Sequence, residues 1–213
     1  MAKLSKGILG GISGTVGNVV GGSWRGIDYI RSKPSKVNNP NTEGQRKQRM
    51  RFRLVIQLLR KIRPLINIGF RNGPRSITAM NQAMSVNLRE AIDGTYPDLE
   101  INPETLVVSR GDLHGASVAD SDLSVANTAT VNWDNEAGNG DAANDDAVMV
   151  LFYNPEKDAV IYKINGAIRE DETVSATLPD SWSGDKVAAY LAFQSVTSRA
   201  VSNGLYLGEE TAA

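Results

Sequence analysis

The chain contains no cysteine and only one histidine, and aromatic residues make up 6% of its 213 residues. Without cysteine it can form neither a disulfide bond nor a thiolate nucleophile nor a cysteine-ligated metal site. The single histidine, His114, stands next to Gly115 without a Ser or carboxylate motif beside it, which predicts an ordinary surface residue. Neither a G-x-S-x-G nor an H-E-x-x-H motif occurs. We therefore expect a protein that is not an enzyme, with no catalytic, cofactor-binding or metal-binding residue and no small-molecule substrate.

Long apolar runs are also absent from the sequence. No stretch approaches the roughly eighteen apolar residues that a membrane-spanning helix needs. The apolar residues from Ile8 to Ile12 follow Lys3 and Lys6, as in a secretion signal, but glycines interrupt them and no small-residue cleavage site follows. We therefore expect synthesis in the cytoplasm and no membrane partner.

Acidic residues are scarce at the start of the chain, and basic residues are scarce in the rest. Residues 1–90 contain 17 of the 23 Lys and Arg residues and three of the 24 Asp and Glu residues, a net charge of +14, whereas residues 91–213 carry −15. Like charges packed together destabilise a compact unit, while oppositely charged halves attract each other or a partner. The separation predicts assembly, either head to tail between copies or between the basic segment and a polyanion.

The first predicted segment, residues 1–41, is a glycine-rich arm and hairpin followed by a linker from residue 34. Its apolar residues are mostly β-formers, and Gly21-Gly22 can supply the positive φ angles of a hairpin turn. We expect this segment to order against a neighbouring subunit by strand addition. The predicted assembly interface consists of its large apolar side chains: Val16, Val19, Val20, Trp24, Ile27, Tyr29 and Ile30.

The second predicted segment, residues 42–94, is a basic helical hairpin. Thr42 and Gln45 form a capping box for a helix that Pro64 should end near Arg63. A second helical pattern follows Gly73-Pro74 after a connector over residues 64–74, and Phe52 falls on the apolar face of the first helix. The predicted basic face consists of Arg31, Lys33, Arg46, Arg49, Arg53, Arg60 and Lys61. This face is expected to dock on an acidic surface of a neighbouring copy, or alternatively to bind nucleic acid phosphates.

The third predicted segment, residues 95–213, is an acidic domain of short alternating strands. Turn residues such as Asn165-Gly166 and Ser183-Gly184 separate them, a pattern typical of an immunoglobulin- or fibronectin-like antiparallel sandwich with Trp133 in its core. A jelly roll or small barrel is the alternative. The loop over residues 134–146 leaves a calcium site open, although it departs from the EF-hand pattern. The predicted strands are Thr105–Ser109, Thr128–Trp133, Val148–Tyr153, Ala159–Ile164, Thr173–Leu178, Val187–Gln194 and Val201–Leu207. With the helices, they make the expected fold class α+β.

Four stretches of sequence resemble a family of uncharacterised proteins common in Bacteroidota genomes and their mobile elements. They are residues 14–34 (GTVGNVVGGSWRGIDYIRSKP), 42–52 (TEGQRKQRMRF), 191–195 (LAFQS) and 201–208 (VSNGLYLG). The resemblance implies no activity, and no catalytic residue can be transferred from it. The helix entry at residues 42–52 is also similar, more loosely, to patterns in phage head and tail proteins.

Together these features predict a structural subunit that self-assembles, in a phage, a phage-like particle or a filament, so that a virion is one expected location. Its expected partners are other copies of itself or neighbouring structural proteins. A nucleic-acid-binding protein that uses residues 42–63 is the alternative. A surface adhesion or carbohydrate-binding module follows only from analogy with other sandwiches.

Overall fold

The computed structural model describes the backbone of residues 3–4 and residues 11–24, 26–36, 39–74 and 76–213 in full. The chain divides into two compact units, Met1–Thr42 and Glu43–Ala213. Within the described residues, no helix combines the length and the apolar character needed to cross a bilayer.

The described residues of the N-terminal unit form an antiparallel meander of four strands paired in chain order. The strands are β1 (Lys3–Leu4), β2 (Ile12–Val16), β3 (Val19–Trp24) and β4 (Ile27–Ser32). The predicted turn at Gly21-Gly22 is wrong: both glycines lie inside β3, and the β2–β3 turn falls at Gly17-Asn18, where Gly17 has a φ of +58°. Gly21 allows β2 and β3 to approach each other closely, because a Cβ there would overlap the backbone carbonyl oxygen of Ile12. Most of the predicted arm before residue 11, and Val37-Asn38 of the predicted linker, lie outside the described residues.

The described residues of the helical part form three helices, where the sequence predicts two. They are α1 (Glu43–Lys61), α2 (Arg63–Gly69) and α3 (Ala79–Glu90). Pro64 does end α1, but it then occupies the first turn of α2, where a missing N–H costs nothing. The predicted connector over residues 64–74 therefore contains a short helix. Thr78, which the sequence analysis did not identify, caps α3 by accepting a hydrogen bond from the Asn81 N–H at 3.2 Å.

The apolar face of α1 is buried over its second half only. Val55, Leu58 and Leu59 are buried at successive steps of three and one. Phe52, predicted to lie on the apolar face of the helix, is 50% exposed. Residues 43–49 are all exposed as well. The first turns of α1 therefore extend past the core that the rest of the helix covers.

Strands form two further sheets and one hairpin in the C-terminal unit. The hairpin pairs β5 (Ile92–Thr95) with β6 (Asp98–Ile101). The three-stranded sheet has the order β11-β8-β7, and the four-stranded sheet has the order β10-β9-β12-β13. Their strands are β7 (Ala119–Asp122), β8 (Thr128–Trp133), β9 (Ala147–Asn154), β10 (Ala159–Ile168), β11 (Thr173–Thr177), β12 (Lys186–Gln194) and β13 (Leu205–Thr211).

The four-stranded sheet is the middle layer of three. Val148, Val150 and Phe152 of β9 share a core with the three-stranded sheet. In this core the Trp133 and Phe193 rings pack edge to face, with their centroids 5.9 Å apart. Leu151 and Tyr153 share a second core with the helices. Every residue of β9 is consequently buried. The α+β class is confirmed. The sequence prediction divided helices and strands near residue 94, whereas here the helices share one of the two cores with the four-stranded sheet.

Two predicted strands are wrong in position. Residues 105–109 form no strand, because the backbone of Val107 pairs with a side chain: its N–H donates to Asn87 Oδ1 at 2.8 Å, and its carbonyl accepts from Asn87 Nδ2 at 2.9 Å. The final strand runs over Leu205–Thr211, and Val201 and Ser202 make only isolated bridges. Strand β8 has the predicted bounds.

Candidate functional surfaces

The register of the N-terminal sheet sorts the predicted interface residues onto its two faces. Residues directly opposite each other on neighbouring strands share a face. Trp24 pairs with Ile27 and Gly22 with Tyr29, whereas Val16 pairs with Val19 and Gly21 with Ile30. One face, the tryptophan face, therefore carries Val20, Trp24, Ile27 and Tyr29. The other, the valine face, carries Val16, Val19 and Ile30.

Apolar side chains of both faces are open to solvent. Trp24 is 63% exposed and Ile27 is 66% exposed, and of the seven predicted interface residues only Val20 is half-buried. Among the described residues of this unit, Gly21 alone is buried. Contiguous exposed apolar surface marks interaction sites in soluble proteins. The N-terminal sheet has such a surface on each side.

Strand β4 is an open edge of this sheet within the described residues. It pairs only with β3, and all six of its residues are exposed. The Lys33 N–H donates to the Asn18 carbonyl at 2.7 Å, and hydrogen-bonded positions alternate along an antiparallel pair. The N–H groups of Tyr29 and Arg31 therefore point towards β3, whereas those of Asp28, Ile30 and Ser32 point to the open side.

The residues of the predicted basic face do not form one surface: they lie in both units, and Lys61 is paired within the chain. Arg31 and Lys33 belong to the N-terminal unit, and the other members lie on α1. Lys61 is engaged within the chain: its ammonium lies 2.5 Å from the Asp158 carboxylate and also donates to the Asp158 carbonyl. Arg51, also on α1, donates to the Leu88 carbonyl at 2.6 Å.

Five arginines follow one side of α1 into α2, and we call them the arginine row: Arg46, Arg49, Arg53, Arg60 and Arg63. Their separations of three, four, seven and three residues keep those on α1 on one helix face. Among the described residues, no hydrogen bond or ion pair involves the side chains of Arg46, Arg53, Arg60 or Arg63.

Two grooves lie along the arginine row. The first, of about 360 Å³, is lined by Arg46, Arg49 and Arg53 together with Tyr96 from the β5–β6 turn. The second, of about 450 Å³, is lined by Arg60, Arg63 and residues of α2 and α3. Tyr96 was missed at the sequence level because only the hairpin brings it to α1. A sequence cannot reveal that proximity over more than forty residues.

A polar cluster in the C-terminal core surrounds Arg169. Its guanidinium is fully buried, lies 3.2 Å from Asp146 Oδ2 and donates to the His114 carbonyl at 2.7 Å. The Trp133 indole N–H donates to the Arg169 carbonyl at 2.9 Å. These bonds hold the 114–117 segment and the 134–146 loop against the strands.

His114 and Glu136 form a polar pair beside this core. His114 Nε2 lies 2.7 Å from Glu136 Oε2, and Glu136 also accepts from Ser117. These hydrogen bonds, that of His114 first, hold the pKa of Glu136 below its usual range. His114, predicted to be an ordinary surface residue, is half-buried and positions the loop.

Three carboxylates of the 134–146 loop, including that of Glu136, accept hydrogen bonds from donors of the same chain. Asp141 accepts from the His114 N–H, and Asp146 accepts from Ala143 N–H and Arg169. Over the described residues, which include this loop, no three His, Asp or Glu side chains converge as ligands of a metal ion.

A cavity of about 460 Å³ lies between α3 and residues 110–112. Phe70, Gln82 and Arg110 are among its lining residues. It was not predicted from the sequence, since its walls come from three separate segments.

Residues 11–208 match a family of unknown function (DUF6266). The chain belongs to this family. No curated protein matches the sequence. The DUF6266 match extends from the N-terminal sheet through the arginine row to β13, so both candidate surfaces lie in the part of the chain that defines the family. Membership of a functionally unassigned family was predicted and is confirmed; the Bacteroidota origin and the likeness to phage proteins stay predictions.

Proposed function

We propose that the protein is a non-enzymatic structural subunit that self-assembles through its N-terminal sheet. The observation that carries this proposal is the exposure of apolar side chains on both faces of a sheet whose edge strand β4 is open within the described residues. Such a unit has little core of its own, and sheets of this size need a packed face to be stable. A second copy of the same sheet would provide that packing.

Burial of these side chains would drive the association. Removing one large apolar side chain from water contributes about 1.5–3 kcal/mol. Trp24, Ile27 and Tyr29 lie together on the tryptophan face, so covering that face contributes several kcal/mol before the entropy cost of association. The valine face can pack against another neighbour in the same way.

Strand addition at β4 would set the orientation of the copies. The outward N–H groups of Asp28, Ile30 and Ser32 are the donors that an added strand needs. Strand β4 contains no proline, a residue that commonly protects exposed edges. Edge pairing is self-complementary, so the same surface serves on both subunits.

The proposal also includes the fold of the C-terminal unit and the kind of assembly in which the protein takes part. We propose that the two facing sheets form an immunoglobulin- or fibronectin-like sandwich, a reading supported by their shared core and by the central Trp133. The proposed setting is a phage, a phage-like particle or a filament. Docking of the basic α1 on an acidic surface of the next copy is a separate proposal, and the engagement of Glu136 and Asp185 by their own chain weakens it.

The proposal is tested by removing apolar surface from the sheet. The double variant Trp24→Ser with Ile30→Ser alters both faces, whereas Val125→Ser with Val196→Ser removes two equally exposed side chains from the other unit. Size-exclusion chromatography with light scattering should give an assembled mass for the unaltered protein and the control, and a monomer mass for the sheet variant. A control that also dissociates, or a sheet variant that assembles normally, contradicts the proposal.

A further inference from the structure

A second surface, independent of the N-terminal sheet, has the features of a binding site for a linear polyanion. The part of the arginine row that lies on α1, from Arg46 to Arg60, extends over about 21 Å of helix, at 1.5 Å per residue. In a strand with stacked bases, as in a duplex, successive phosphates are about 3.4 Å apart along the axis. The row is therefore as long as about six nucleotides of a stacked strand, and it spans fewer nucleotides of an extended single strand.

The charge of α1 is not balanced within its own helix. Of its residues, seven are basic and one, Glu43, is acidic. Like charges three or four residues apart destabilise a helix by a few tenths of a kcal/mol per pair. Lys61 and Arg51 have partners inside the chain, but Arg46, Arg53 and Arg60 have none among the described residues. The unpaired guanidinium groups are thus all on the side of α1 that the core leaves open.

Tyr96 distinguishes the groove at the start of the row from a plain basic patch. It is half-buried and lines the same groove as Arg46, Arg49 and Arg53. An aromatic ring beside cationic side chains is the arrangement with which proteins bind single strands, because every base can stack on the ring. An acidic protein surface would use the arginines but would gain nothing comparable from the ring.

We propose that this site binds single-stranded nucleic acid, with the phosphates along the arginine row and one base stacked on Tyr96. Binding is independent of base sequence, since guanidinium groups contact phosphates and the ring accepts any base. A duplex fits less well, because its bases are already stacked on each other and cannot reach Tyr96.

The test uses the full-length protein and a fluorescently labelled single-stranded oligonucleotide, with heparin and poly-glutamate as polyanions that have no bases. Fluorescence anisotropy over a salt series should give a slope of log K against log salt of about −3, as expected for four to five neutralised phosphates. The double variant Arg53→Gln with Arg60→Gln should reduce the magnitude of that slope by about 1.4. Lys163→Gln with Lys186→Gln removes the same charge from the sheet and should leave the slope unchanged.

The stacking step has its own pair of variants. Tyr96→Leu should weaken oligonucleotide binding about 5- to 100-fold and leave heparin binding unchanged, while Tyr96→Phe retains the affinity of the unaltered protein for both. Circular dichroism confirms that each variant is folded. Three outcomes overturn the proposal: no oligonucleotide binding at physiological salt, poly-glutamate binding as tight as oligonucleotide binding, or a Tyr96→Leu variant that binds the oligonucleotide normally. All variants leave the N-terminal sheet intact, so the result does not depend on whether the protein self-assembles.

Discussion

The guanidinium of Arg169 and the carboxylate of Asp146 are both fully buried, 3.2 Å apart, between the 134–146 loop and the core strand β12. The same guanidinium lies 3.9 Å from the centre of the Phe193 ring. A single interaction thus joins the acidic loop to the interior of the C-terminal unit. Removing one partner of a buried pair leaves the other charge uncompensated.

We expect Arg169→Met to lower the free energy of unfolding by about 3–5 kcal/mol. The matched control is Lys61→Met, because the ion pair of Lys61 with Asp158 is exposed and should contribute less than about 1 kcal/mol. Urea unfolding measures both. Equal effects of the two substitutions would show that the buried pair has no special role.

Gly21→Ala should disrupt the N-terminal sheet, because the added Cβ would overlap the Ile12 carbonyl oxygen. Gly44→Ala is the control: no atom lies within 4 Å of its added Cβ, and alanine should stabilise α1 by about 0.5–1 kcal/mol. Hydrogen exchange, followed residue by residue, distinguishes the effect of Gly21→Ala on the N-terminal sheet from that of Gly44→Ala on α1. Loss of protection confined to residues 11–33 in Gly21→Ala is the expected result, and unchanged protection there would contradict the close packing of β2 on β3.

Acidification should weaken the contact between the 134–146 loop and its neighbours through Glu136. Its folded-state pKa is lowered, so its contribution to stability is complete above the unfolded-state value of about 4.3 and is lost as the pH falls through the folded-state pKa. We expect Glu136→Gln to flatten the decrease in stability below about pH 4.3. Glu156→Gln, which replaces an exposed carboxylate, should leave the decrease in stability unchanged. Urea unfolding at a series of pH values compares the two, and identical profiles would refute the assignment.

Asn87 should be the most sensitive polar residue of α3. It is fully buried, and its amide replaces a neighbouring strand for Val107. We expect Asn87→Ala to lower the free energy of unfolding by about 1–3 kcal/mol, since two backbone groups lose their partner. Asn81→Ala makes the same change at an exposed position of the same helix and should stay within about 0.5 kcal/mol. Thermal unfolding distinguishes the two variants.

Asn87 also explains where the sequence was insufficient. Residues 105–109 have the composition of a strand, and only the tertiary fold decides that a side-chain amide, rather than a strand, pairs with Val107. In contrast, β8 was predicted with its bounds because it alternates strictly between apolar and polar residues. Local periodicity can be recognised in a sequence, but the group with which a segment pairs cannot.

The layer order had a signal that the sequence analysis did not use. Residues 148–153 are apolar at every position, a pattern typical of strands covered on both faces. An isolated two-layer sandwich would leave one of these faces in water. The run therefore indicated that the helices pack on the sheet. The predicted interface residues of the N-terminal unit all lie in strands, as their β-forming side chains indicate, but their register was not predicted, because Gly21 was interpreted as a turn residue instead of a close-contact residue.

The proposal of self-assembly at β4 is tested most directly by the molar mass of Ile30→Pro in solution. The Ile30 N–H points away from β3, so proline removes a donor to an added strand without breaking a hydrogen bond inside the sheet. Ile30→Ala controls for the loss of the side chain. Light scattering over a wide concentration range should show assemblies for the unaltered protein and Ile30→Ala, and a monomer for Ile30→Pro. A monomer of the unaltered protein at every concentration, or an Ile30→Pro variant that assembles like it, would contradict the account.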